Sequence, residues 1–412
     1  MTVDEDVGER NASYIEGNRH VAAGEVEAAV AAYRAAAEAG HNRARVELAR
    51  MLLHGIGVPD DPGAAIAWLE RAEQAGNAVA GYLLALIAVG GRLVPRDGRI
   101  NQRVSLAVSA GFPPAMLAAA IHFGRRPGAR DQALCIELLQ RAALAGNDTA
   151  AQLLCARLRR GEGCARDESG ADEIQGQLSE RGIGPLPDCS AGTPLQPTAV
   201  ENRLALQDAW YAPPVEELAQ RPKLAAIPAL LSADECRLLM ATSSPRLRQS
   251  HTLHPDDASK LYTGIRTSSD ASYDPLQEDL ALRLVQARMA SAAGAELVHA
   301  EQLIVLRYAP GEQYHPHRDY LPPSAIEQDP RNAGDRAATI CVYLNEVEAG
   351  GATEFPSAGL RIEPQAGKAI AFSNLLGDGR PDPDSLHAGL PVERGEKWLA
   401  TLWLRQRPYR TY

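Results

Sequence analysis

An internal repeat constrains the fold of the N-terminal part of this chain more than any other feature. Four alanine-rich segments, each with apolar residues at helical spacing, reach a glycine where the helical pattern stops. A second helical pattern follows, as at Asp61 and Pro62, which fit the cap and the first position of a helix. One pair of helices cannot bury its apolar face alone, so the repeat predicts a solenoid of stacked pairs. The marker glycines, 36, 35 and 35 residues apart, are Gly40, Gly76, Gly111 and Gly146.

These segments resemble Sel1-like repeats, which are relatives of the tetratricopeptide family. The resemblance rests on the AEAGN-type box, the alanine-rich helix that follows it and the GxGV turn, and it covers about residues 12–182. The third copy departs from the pattern at Phe112-Pro113-Pro114 and has no GxGV turn. An irregular helical bundle without superhelical geometry therefore remains an alternative.

Composition narrows the class of protein. The chain has 412 residues, of which 45% are hydrophobic and 23% charged, as in globular proteins of two or three domains. A net charge of -10 argues against a broad nucleic-acid or anionic-membrane surface. The sequence has no run of 18 apolar residues and no apolar signal core near its acidic N-terminus, so we expect no membrane partner and a cytoplasmic location. The six cysteines form no CxxC pair and are expected to be inert thiols of a reducing compartment.

The composition and periodicity of the sequence change twice along the chain. Residues 183–224 are rich in proline and glycine, have no period and are predicted to be a linker. From residue 225 onward, two helical patterns are followed by a run of short strand patterns separated by turns. This order predicts an α+β domain at 225–412 with a double-stranded β-helix, or jelly-roll, core. The chain is thus predicted to be multidomain, and the all-α solenoid at 12–182 and this domain are expected to have separate cores.

Three histidine-x-acid triplets are candidates for metal binding. Such triplets arise by chance at this composition, so their context must decide between them. The triplet at His254 lies in a polar stretch typical of a solvated loop. The triplet at His299 lies at a strand entrance, where a structural role is expected. The third follows the strand and turn QLIVLRYAPGEQY, and only its residues are retained as ligands. The triplets are His254-Pro-Asp256, His299-Ala-Glu301 and His317-Arg-Asp319.

The third triplet and one distant histidine could close a metal site. His317 and Asp319 project to the same face of a strand because they are two residues apart. His387 is the only histidine downstream of them and is the candidate third ligand. Two imidazoles and one carboxylate are the ligand set of non-haem Fe(II) oxygenases, which leave positions open for a co-substrate and oxygen. His315 shares the parity of His317 and remains an alternative ligand.

A lysine ten residues after His387 suggests an anion site. Lys397 alternates with Leu399, Thr401 and Trp403 along one predicted strand. A lysine that points inward needs an anion, and a dicarboxylate such as 2-oxoglutarate would supply one. The alternative is an edge lysine whose amine reaches solvent.

Several ordered motifs resemble the prolyl 4-hydroxylase branch of the 2-oxoglutarate/Fe(II) dioxygenases. They span about residues 225–407 and include an upstream Arg-Thr-Ser segment. The motifs are Ile265-Arg266-Thr267-Ser268-Ser269, Tyr308-x-x-Gly311-x-x-Tyr314-x-x-His317-x-Asp319-Tyr320, Arg336-x-x-Thr339-x-x-x-Tyr343-Leu-Asn, Gly350-Gly-x-Thr-x-Phe355-Pro and Ser385-Leu-His387-Ala-Gly-x-Pro-Val-x-x-Gly395-x-Lys397-Trp.

The resemblance implies a role for each matching residue. The catalytic Fe(II) would be held by His317, Asp319 and His387. The distal carboxylate of 2-oxoglutarate would pair with Lys397 and accept hydrogen bonds from two hydroxyls, and three further residues would line the substrate side. The hydroxyls are those of Tyr308 and Thr339, and the substrate-side residues are Tyr314, Arg336 and Trp403.

The resemblance also implies a reaction. O2 and 2-oxoglutarate would be consumed, succinate and CO2 released, and an aliphatic C–H hydroxylated, most simply in a prolyl residue of a protein or peptide, with ascorbate as reductant. The polar, proline-rich residues 321–334 have the composition of a substrate-covering loop. A solenoid beside the catalytic domain favours a macromolecular target that it partly binds.

Three other functions remain open. A zinc hydrolase could use the same ligands, but it would leave Lys397, Tyr308 and Thr339 without a role. A hydroxylase of a free amino acid or another small molecule would share the catalytic chemistry. A non-catalytic repeat scaffold would have no need for an intact ligand set.

Overall fold

The chain divides into two compact units. The computed structural model describes residues 3–194, 203–211, 213–254, 257–262 and 264–412. The N-terminal unit runs to Ala115 and also takes in Tyr412. The C-terminal unit spans Met116–Thr411.

The repeat region is helical, as predicted. The helices are α1 (Val3–Ala23), α2 (Val26–Glu38), α3 (Asn42–His54), α4 (Pro62–Gln74), α5 (Ala78–Ala88), α6 (Arg99–Ser109), α7 (Pro113–Gly124), α8 (Ala129–Leu144), α9 (Asp148–Arg160) and α10 (Glu168–Glu180). Within each unit, neighbouring helices such as α3 and α4 or α8 and α9 pack on one another through faces rich in alanine and leucine. The boundary between the two units falls inside the seventh helix.

The repeated glycines turn the chain between helices. Each has a positive φ, a conformation that a residue with a Cβ adopts only at a cost. After Gly76 and Gly146 an asparagine caps the next helix: Asn77 Oδ1 accepts from Val79 N and Ala80 N at 3.0 and 3.1 Å. The predicted start of α4 is also confirmed, since Asp61 accepts from Ala64 N and Pro62 follows it. The φ values are 94° at Gly40, 83° at Gly76, 76° at Gly111 and 87° at Gly146.

The C-terminal unit contains two main antiparallel sheets. The eight-stranded sheet has the order β1-β2-β13-β9-β16-β7-β6-β3, and the four-stranded sheet has the order β12-β11-β14-β8. The strands are β1 (Glu216–Gln220), β2 (Lys223–Ile227), β3 (Arg248–Gln249), β4 (Thr252–His254), β5 (Asp257–Tyr262), β6 (Ser269–Ser272), β7 (Ile304–Tyr308), β8 (Tyr314–His317), β9 (Arg336–Tyr343), β10 (Ala349–Gly350), β11 (Thr353–Phe355), β12 (Leu360–Ile362), β13 (Ala369–Ser373), β14 (His387–Gly389), β15 (Val392–Arg394) and β16 (Lys397–Arg405).

Helices precede most of these strands, as the sequence predicts. Helix α11 (Ala233–Ser243) begins with a capping box in which Ser232 and Glu235 bond each other's backbone amides. Helix α12 (Leu280–Ala292) is capped by Asp279 and is almost wholly buried. A short helix, α13 (Pro323–Glu327), lies within the predicted substrate loop. These elements confirm the predicted α+β fold of the C-terminal domain.

The predicted linker contains regular structure, including a short 3-10 helix at Leu206–Trp210 and an edge strand. Residues 216–220 form β1, which pairs with β2 at the edge of the eight-stranded sheet. The residues of β1 are mostly polar and are exposed or half-buried, because an edge strand faces solvent. Such a strand lacks the apolar alternation by which strands are recognised.

Buried ion pairs connect helix α9 of the fourth repeat with helix α11. Arg157 Nε lies 2.8 Å from Asp234 Oδ2, and both side chains are almost fully buried. Arg237 binds Asp234 at 3.1 Å and Glu162 at 2.8 Å. The core of the C-terminal domain therefore extends onto the fourth repeat, which differs from the separate cores expected from the sequence.

Among the described residues, no single helix is both long enough and apolar enough to cross a membrane. The consecutive helices α6 and α7 reach that threshold only when they are counted together.

Candidate active site

Two neighbouring strands bring the candidate metal ligands together. His317 at the end of β8 is the register partner of His387 at the start of β14. Asp319 follows two residues later, as its parity predicts. Its carboxylate oxygens lie 3.6 Å from His317 Nε2 and 3.8 Å from His387 Nε2. One ligand atom from each of the three residues lies within 4.8 Å of the others, which suits a single metal ion.

Backbone carbonyls orient both imidazoles. His317 Nδ1 bonds the carbonyl of His315 at 2.9 Å, and His387 Nδ1 bonds that of Ser385 at 3.0 Å. Each Nδ1 must therefore carry the proton, which leaves the Nε2 lone pair for a metal. Burial, followed by the neighbouring His387, lowers the pKa of His317 to about 3. His317 is thus neutral near pH 7, as a metal ligand must be.

A short hydrogen-bond chain supports the carboxylate. Thr339 Oγ1 donates to Asp319 Oδ2 at 2.7 Å, and Asn374 Nδ2 donates to Thr339 Oγ1 at 2.9 Å. Burial alone would raise the pKa of Asp319, but the two imidazoles, Arg336 and the Thr339 hydroxyl together lower it. The acid is therefore ionised and aimed at the imidazoles.

Aromatic rings line this site. Tyr314 stacks on His317 with ring centroids 3.4 Å apart, and Phe372 packs edge-on against His387 at 4.7 Å. Burial raises the pKa of Tyr314 to about 12, so its phenol remains a hydrogen-bond donor. Arg266 lies 5.5 Å from the Tyr314 ring.

Lys397 is a buried cation whose amine bonds a backbone carbonyl. Its side chain is 2% exposed, and Nζ donates to the carbonyl of Gly351 at 2.6 Å. No carboxylate in the described part of the chain lies within ion-pair distance of Nζ. Burial lowers the pKa of Lys397 to about 8. The rings of Tyr308 and Tyr343 flank the amine at 5.4 and 5.5 Å, so an anion bound here would be shielded from water.

One pocket joins this lysine to the metal ligands. Tyr308, Tyr314 and Trp403 lie on its walls, as predicted. Its polar lining also includes residues whose roles the sequence did not predict. These are Arg266, Thr353 and Thr401. Thr401 shares the inward parity of Lys397, a signal that the sequence already contained.

Two of the predicted residues have other partners in the structure. The single proton of the Thr339 hydroxyl is donated to Asp319, so Thr339 supports the carboxylate and does not line the pocket. Arg336 is also outside the pocket lining, because Glu301 accepts from both its Nε and Nη2 at 2.8 Å. Its guanidinium lies 3.7 Å from the centre of the Trp403 ring. We therefore assign Arg336 to supporting Trp403.

The remaining triplets do not join the site. Glu301 pairs with Arg336 and Arg405, and His299 Nδ1 bonds the carbonyl of Arg405 at 3.1 Å, which confirms a structural role. The side chain of His254 and all of Asp256 lie outside the described residues. His315 contributes its carbonyl, and its ring does not belong to the metal cluster. No sequence signal identified Glu301 or Asn374 as supporting residues.

The donor set fits Fe(II) and a dicarboxylate. Neutral imidazoles and a carboxylate on one side of a metal leave its other positions open. The amine of Lys397 lies in the same pocket and needs a negative charge. A tetrahedral zinc hydrolase site would give that amine no role.

Comparison with known proteins identifies the family. Residues 303–405 match the 2OG-Fe(II) oxygenase superfamily, and residues 42–77 and 113–147 match the Sel1 repeat. Probable prolyl 4-hydroxylase 10 of Arabidopsis thaliana is 31% identical over 215 residues, which are 48% of this chain and 73% of that protein. The chain belongs to the prolyl 4-hydroxylase family. As a member, it is a 2-oxoglutarate-dependent dioxygenase that uses Fe(II) and O2, preceded by Sel1 repeats.

Other relatives cover one half of the chain at a time. Prolyl 4-hydroxylase subunit alpha-1 of Rattus norvegicus is 31% identical and is matched over 36% of its length and 47% of this chain. The viral collagen prolyl hydroxylase of Paramecium Bursaria Chlorella virus-1 is 28% identical, with a TM-score of 0.35, over 44% of this chain and 95% of its own. The protective antigen c5321 of uropathogenic Escherichia coli is 23% identical, with a TM-score of 0.36, over 42% of this chain and 39% of its own.

Proposed function

We propose that this dioxygenase hydroxylates a prolyl residue in a protein or peptide. The observation that carries this proposal is the buried, acid-free Lys397 in the same pocket as His317, Asp319 and His387. A charged group in that position would be costly unless an anion entered with the substrate. A dicarboxylate that reaches both the amine and the metal satisfies that requirement.

Each side chain has a task in this reaction. Bound Fe(II) would supply the oxidative decarboxylation of 2-oxoglutarate and the transfer of oxygen to a C–H bond. Lys397 would hold the distal carboxylate, and Tyr308 would cover it. Thr339 keeps Asp319 ionised and oriented. The aromatic walls would exclude water from the reacting atoms, which limits side reactions.

The open side of the pocket suits a prolyl residue. Tyr314 and Trp403 offer apolar rings against which a pyrrolidine ring could pack. Trp403 Nε1 is buried and has no acceptor among the described residues. An unpaired indole N–H beside the pocket would donate to a peptide carbonyl. A free amino acid offers a carboxylate at that place instead.

Three further properties belong to the proposal. The repeats would bind part of the protein substrate or a partner, since solenoids offer extended binding surfaces. Ascorbate would act as reductant, as in the family that the motifs resemble. The enzyme would work in the cytoplasm, which its six unpaired cysteines favour.

The test is a coupled assay on the full chain. Fe(II), 2-oxoglutarate, O2 and ascorbate are supplied with a proline-rich peptide, its proline-to-alanine counterpart or free proline. We expect succinate formation matched by the gain of one oxygen on the proline-containing peptide. Hydroxylation of free proline alone would replace the peptide by a small-molecule substrate. Hydroxylation of the alanine counterpart at equal rate would exclude proline as the target. Assays without ascorbate should lose activity faster.

A further inference from the structure

Asn374 lies between the supports of two metal ligands. It directly follows β13 and is fully buried. Its side-chain Nδ2 donates to Thr339 Oγ1 at 2.9 Å, and Thr339 donates onward to Asp319. Its backbone carbonyl accepts from the amide of Asp382 at 2.9 Å, and Asp382 begins the turn that leads to His387. One residue thus contacts the support of the carboxylate with its side chain and the support of an imidazole with its backbone.

A second buried hydroxyl closes the turn before His387. Ser385 Oγ and Ser385 N both donate to the carbonyl of Asp382, at 2.7 and 3.2 Å. The side chain of Asp382 also holds the turn, since its Oδ1 accepts from Asp384 N at 3.0 Å. His387 Nδ1 then bonds the carbonyl of Ser385 at 3.0 Å. Ser385 and Asp382 are both buried, so these bonds are shielded from water.

These hydrogen bonds form a continuous path from one metal ligand to another. Every bond along the path measures 2.7–3.0 Å. The third ligand, His317, is held separately by the carbonyl of His315. We call the members of the path the ligand frame. In order, they are Asp319, Thr339, Asn374, Asp382, Ser385 and His387.

The amide of Asn374 is fixed in one orientation. The Thr339 hydroxyl gives its single proton to Asp319, so the Asn374 atom that meets Thr339 Oγ1 must be the donor Nδ2. The other amide atom, Oδ1, is buried and has no hydrogen-bond partner among the described residues. An unsatisfied buried carbonyl costs free energy. A residue used only for packing would avoid that cost, which indicates that this amide is retained for the bond that it donates.

We propose that Asn374 and Ser385 are positioning residues that together set the distance between Asp319 and His387 before the metal binds. In the structure, Asp319 Oδ2 lies 3.8 Å from His387 Nε2, close enough for one ion to bind both. Residues behind the ligands orient them, and metal affinity depends on such partners. The inference rests on the Fe(II) site used in the proposed function but concerns metal binding alone. It can therefore fail while prolyl hydroxylation stands, and it can hold if the target is another molecule.

The first test measures the affinity for Co(II) alone, without peptide or 2-oxoglutarate. Ser385→Ala removes only the hydroxyl, and Asn374→Ala removes the amide but keeps the carbonyl that accepts from Asp382. Each substitution should weaken binding by about 10–100-fold, as is typical when a ligand loses an orienting partner. Ser243→Ala is the matched control, because its buried hydroxyl also bonds a backbone carbonyl, on α11 and outside the pocket. Parent affinity in either test variant would overturn the proposal.

The second test combines the two substitutions on the full chain. If the ligand frame is continuous, breaking one bond already releases it, and a second break adds little. The double variant should therefore bind Co(II) at least about threefold more tightly than the product of the two single losses predicts, as for coupled residues. A loss equal to or greater than that product would show that the two ligands are supported independently, and would overturn the coupling.

The visible absorption of bound Co(II) separates positioning from stability. This absorption follows the geometry of the ligands, so it should change in Asn374→Ala and Ser385→Ala and remain as in the parent in Ser243→Ala. Urea unfolding of the metal-free variants shows whether affinity is lost with the fold. If Asn374→Ala does not fold, Thr339→Val interrupts the same side of the ligand frame and takes its place in the combination. An unchanged spectrum at saturating Co(II) in every variant would reduce these residues to a structural role.

Discussion

The C-terminal unit buries two groups of charges that differ in one respect. Between α9 and α11, each buried arginine has a carboxylate within ion-pair distance, as in Arg157 with Asp234 and Arg237 with Asp234. In the metal pocket, Lys397 has only a backbone carbonyl, and Trp403 Nε1 has no acceptor among the described residues. Both groups are shielded from water, so exposure does not explain the difference.

The difference separates structure from function. A buried charge costs several kcal/mol unless it is paired, so a fold removes unpaired charges unless a ligand completes them. The network between α9 and α11 is complete in the chain itself and stabilises the unit. The pocket is incomplete, and an anion such as a dicarboxylate would supply the charge that Lys397 lacks as a partner. Substitutions in the two groups should therefore have different consequences.

The largest effect is expected in the pocket. His387→Ala should reduce succinate formation to background, because two ligands without the third cannot hold Fe(II) in the same geometry. Because the buried ring of His387 also packs against Phe372, the unfolding of the variant is measured as well, so that a loss of activity can be separated from a loss of stability. His315→Ala is the control, because it removes a nearby imidazole that is not in the ligand cluster. Succinate at the parent rate in His387→Ala would refute the metal assignment.

Removing the amine of Lys397 should weaken the binding of 2-oxoglutarate and leave the binding of Fe(II) unchanged. In Lys397→Ala the distal carboxylate would be buried without a partner, which costs roughly 3–5 kcal/mol. At about 1.4 kcal/mol per decade, 2-oxoglutarate should bind on the order of 10²–10³-fold more weakly. Lys368→Ala removes a lysine outside the pocket and serves as the control. An unchanged dissociation constant for 2-oxoglutarate would mean that another cation holds it.

Substitutions in the ion-pair network between α9 and α11 should lower the free energy of unfolding. Arg157→Ala leaves the Asp234 carboxylate buried with one partner fewer and should lower the free energy of unfolding by about 3 kcal/mol. Arg159→Ala, on the same helix, breaks the exposed pair with Asp172 and should cost less than about 1 kcal/mol. The side chains of Arg157 and Arg159 are 4% and 38% exposed. Urea unfolding of both variants measures the contrast, and equal losses would show that the buried pair adds nothing.

The sequence predicted elements that have a local cause. The glycine period and the cap at Asp61 follow from backbone conformation, and the pairing of His317 with Asp319 follows from strand parity. These features can be predicted from the sequence because they depend on residues close together in the chain.

Long-range partners escaped prediction for the same reason. Thr339 was expected at 2-oxoglutarate, but its proton goes to Asp319, 20 residues away. Arg336 was expected at the substrate, but Glu301, 35 residues away, holds it. Strand β1 falls within the predicted linker because an edge strand has no apolar alternation. Register between distant strands determines such contacts, and no local pattern reports it.

Loss of the hydrogen bond from Thr339 to the Asp319 carboxylate should weaken the binding of Fe(II). Thr339→Val keeps the side-chain shape and removes the hydroxyl that donates to Asp319 and accepts from Asn374. Loss of a residue that orients a metal ligand typically weakens binding by about 10–100-fold. Fe(II) titration under anaerobic conditions measures this, with Thr242→Val as a control because that hydroxyl bonds the α11 backbone and Tyr273. Parent affinity in Thr339→Val would show that Asp319 needs no such support.

The smallest effect is a pH dependence of co-substrate binding. Burial lowers the pKa of Lys397 to about 8 in the ligand-free protein, against 10.5 for an exposed amine. The folded protein therefore binds fewer protons here than the unfolded chain between those values, and its stability should rise with pH across that window. Binding of 2-oxoglutarate has the opposite sign because the dicarboxylate requires the ammonium form.

Above about pH 8 the apparent dissociation constant for 2-oxoglutarate should increase, approaching about tenfold per pH unit, and below it should be level. The carboxylates of the ligand stay ionised throughout this range, so the amine alone accounts for the slope. Lys397→Ala binds weakly but should show no break near pH 8, which separates this amine from other groups that titrate there. A level profile in the parent would mean that the amine keeps its proton without the ligand. Some acceptor would then pair Lys397 in the free enzyme, and the contrast between a complete network and an incomplete pocket would fail at its central residue.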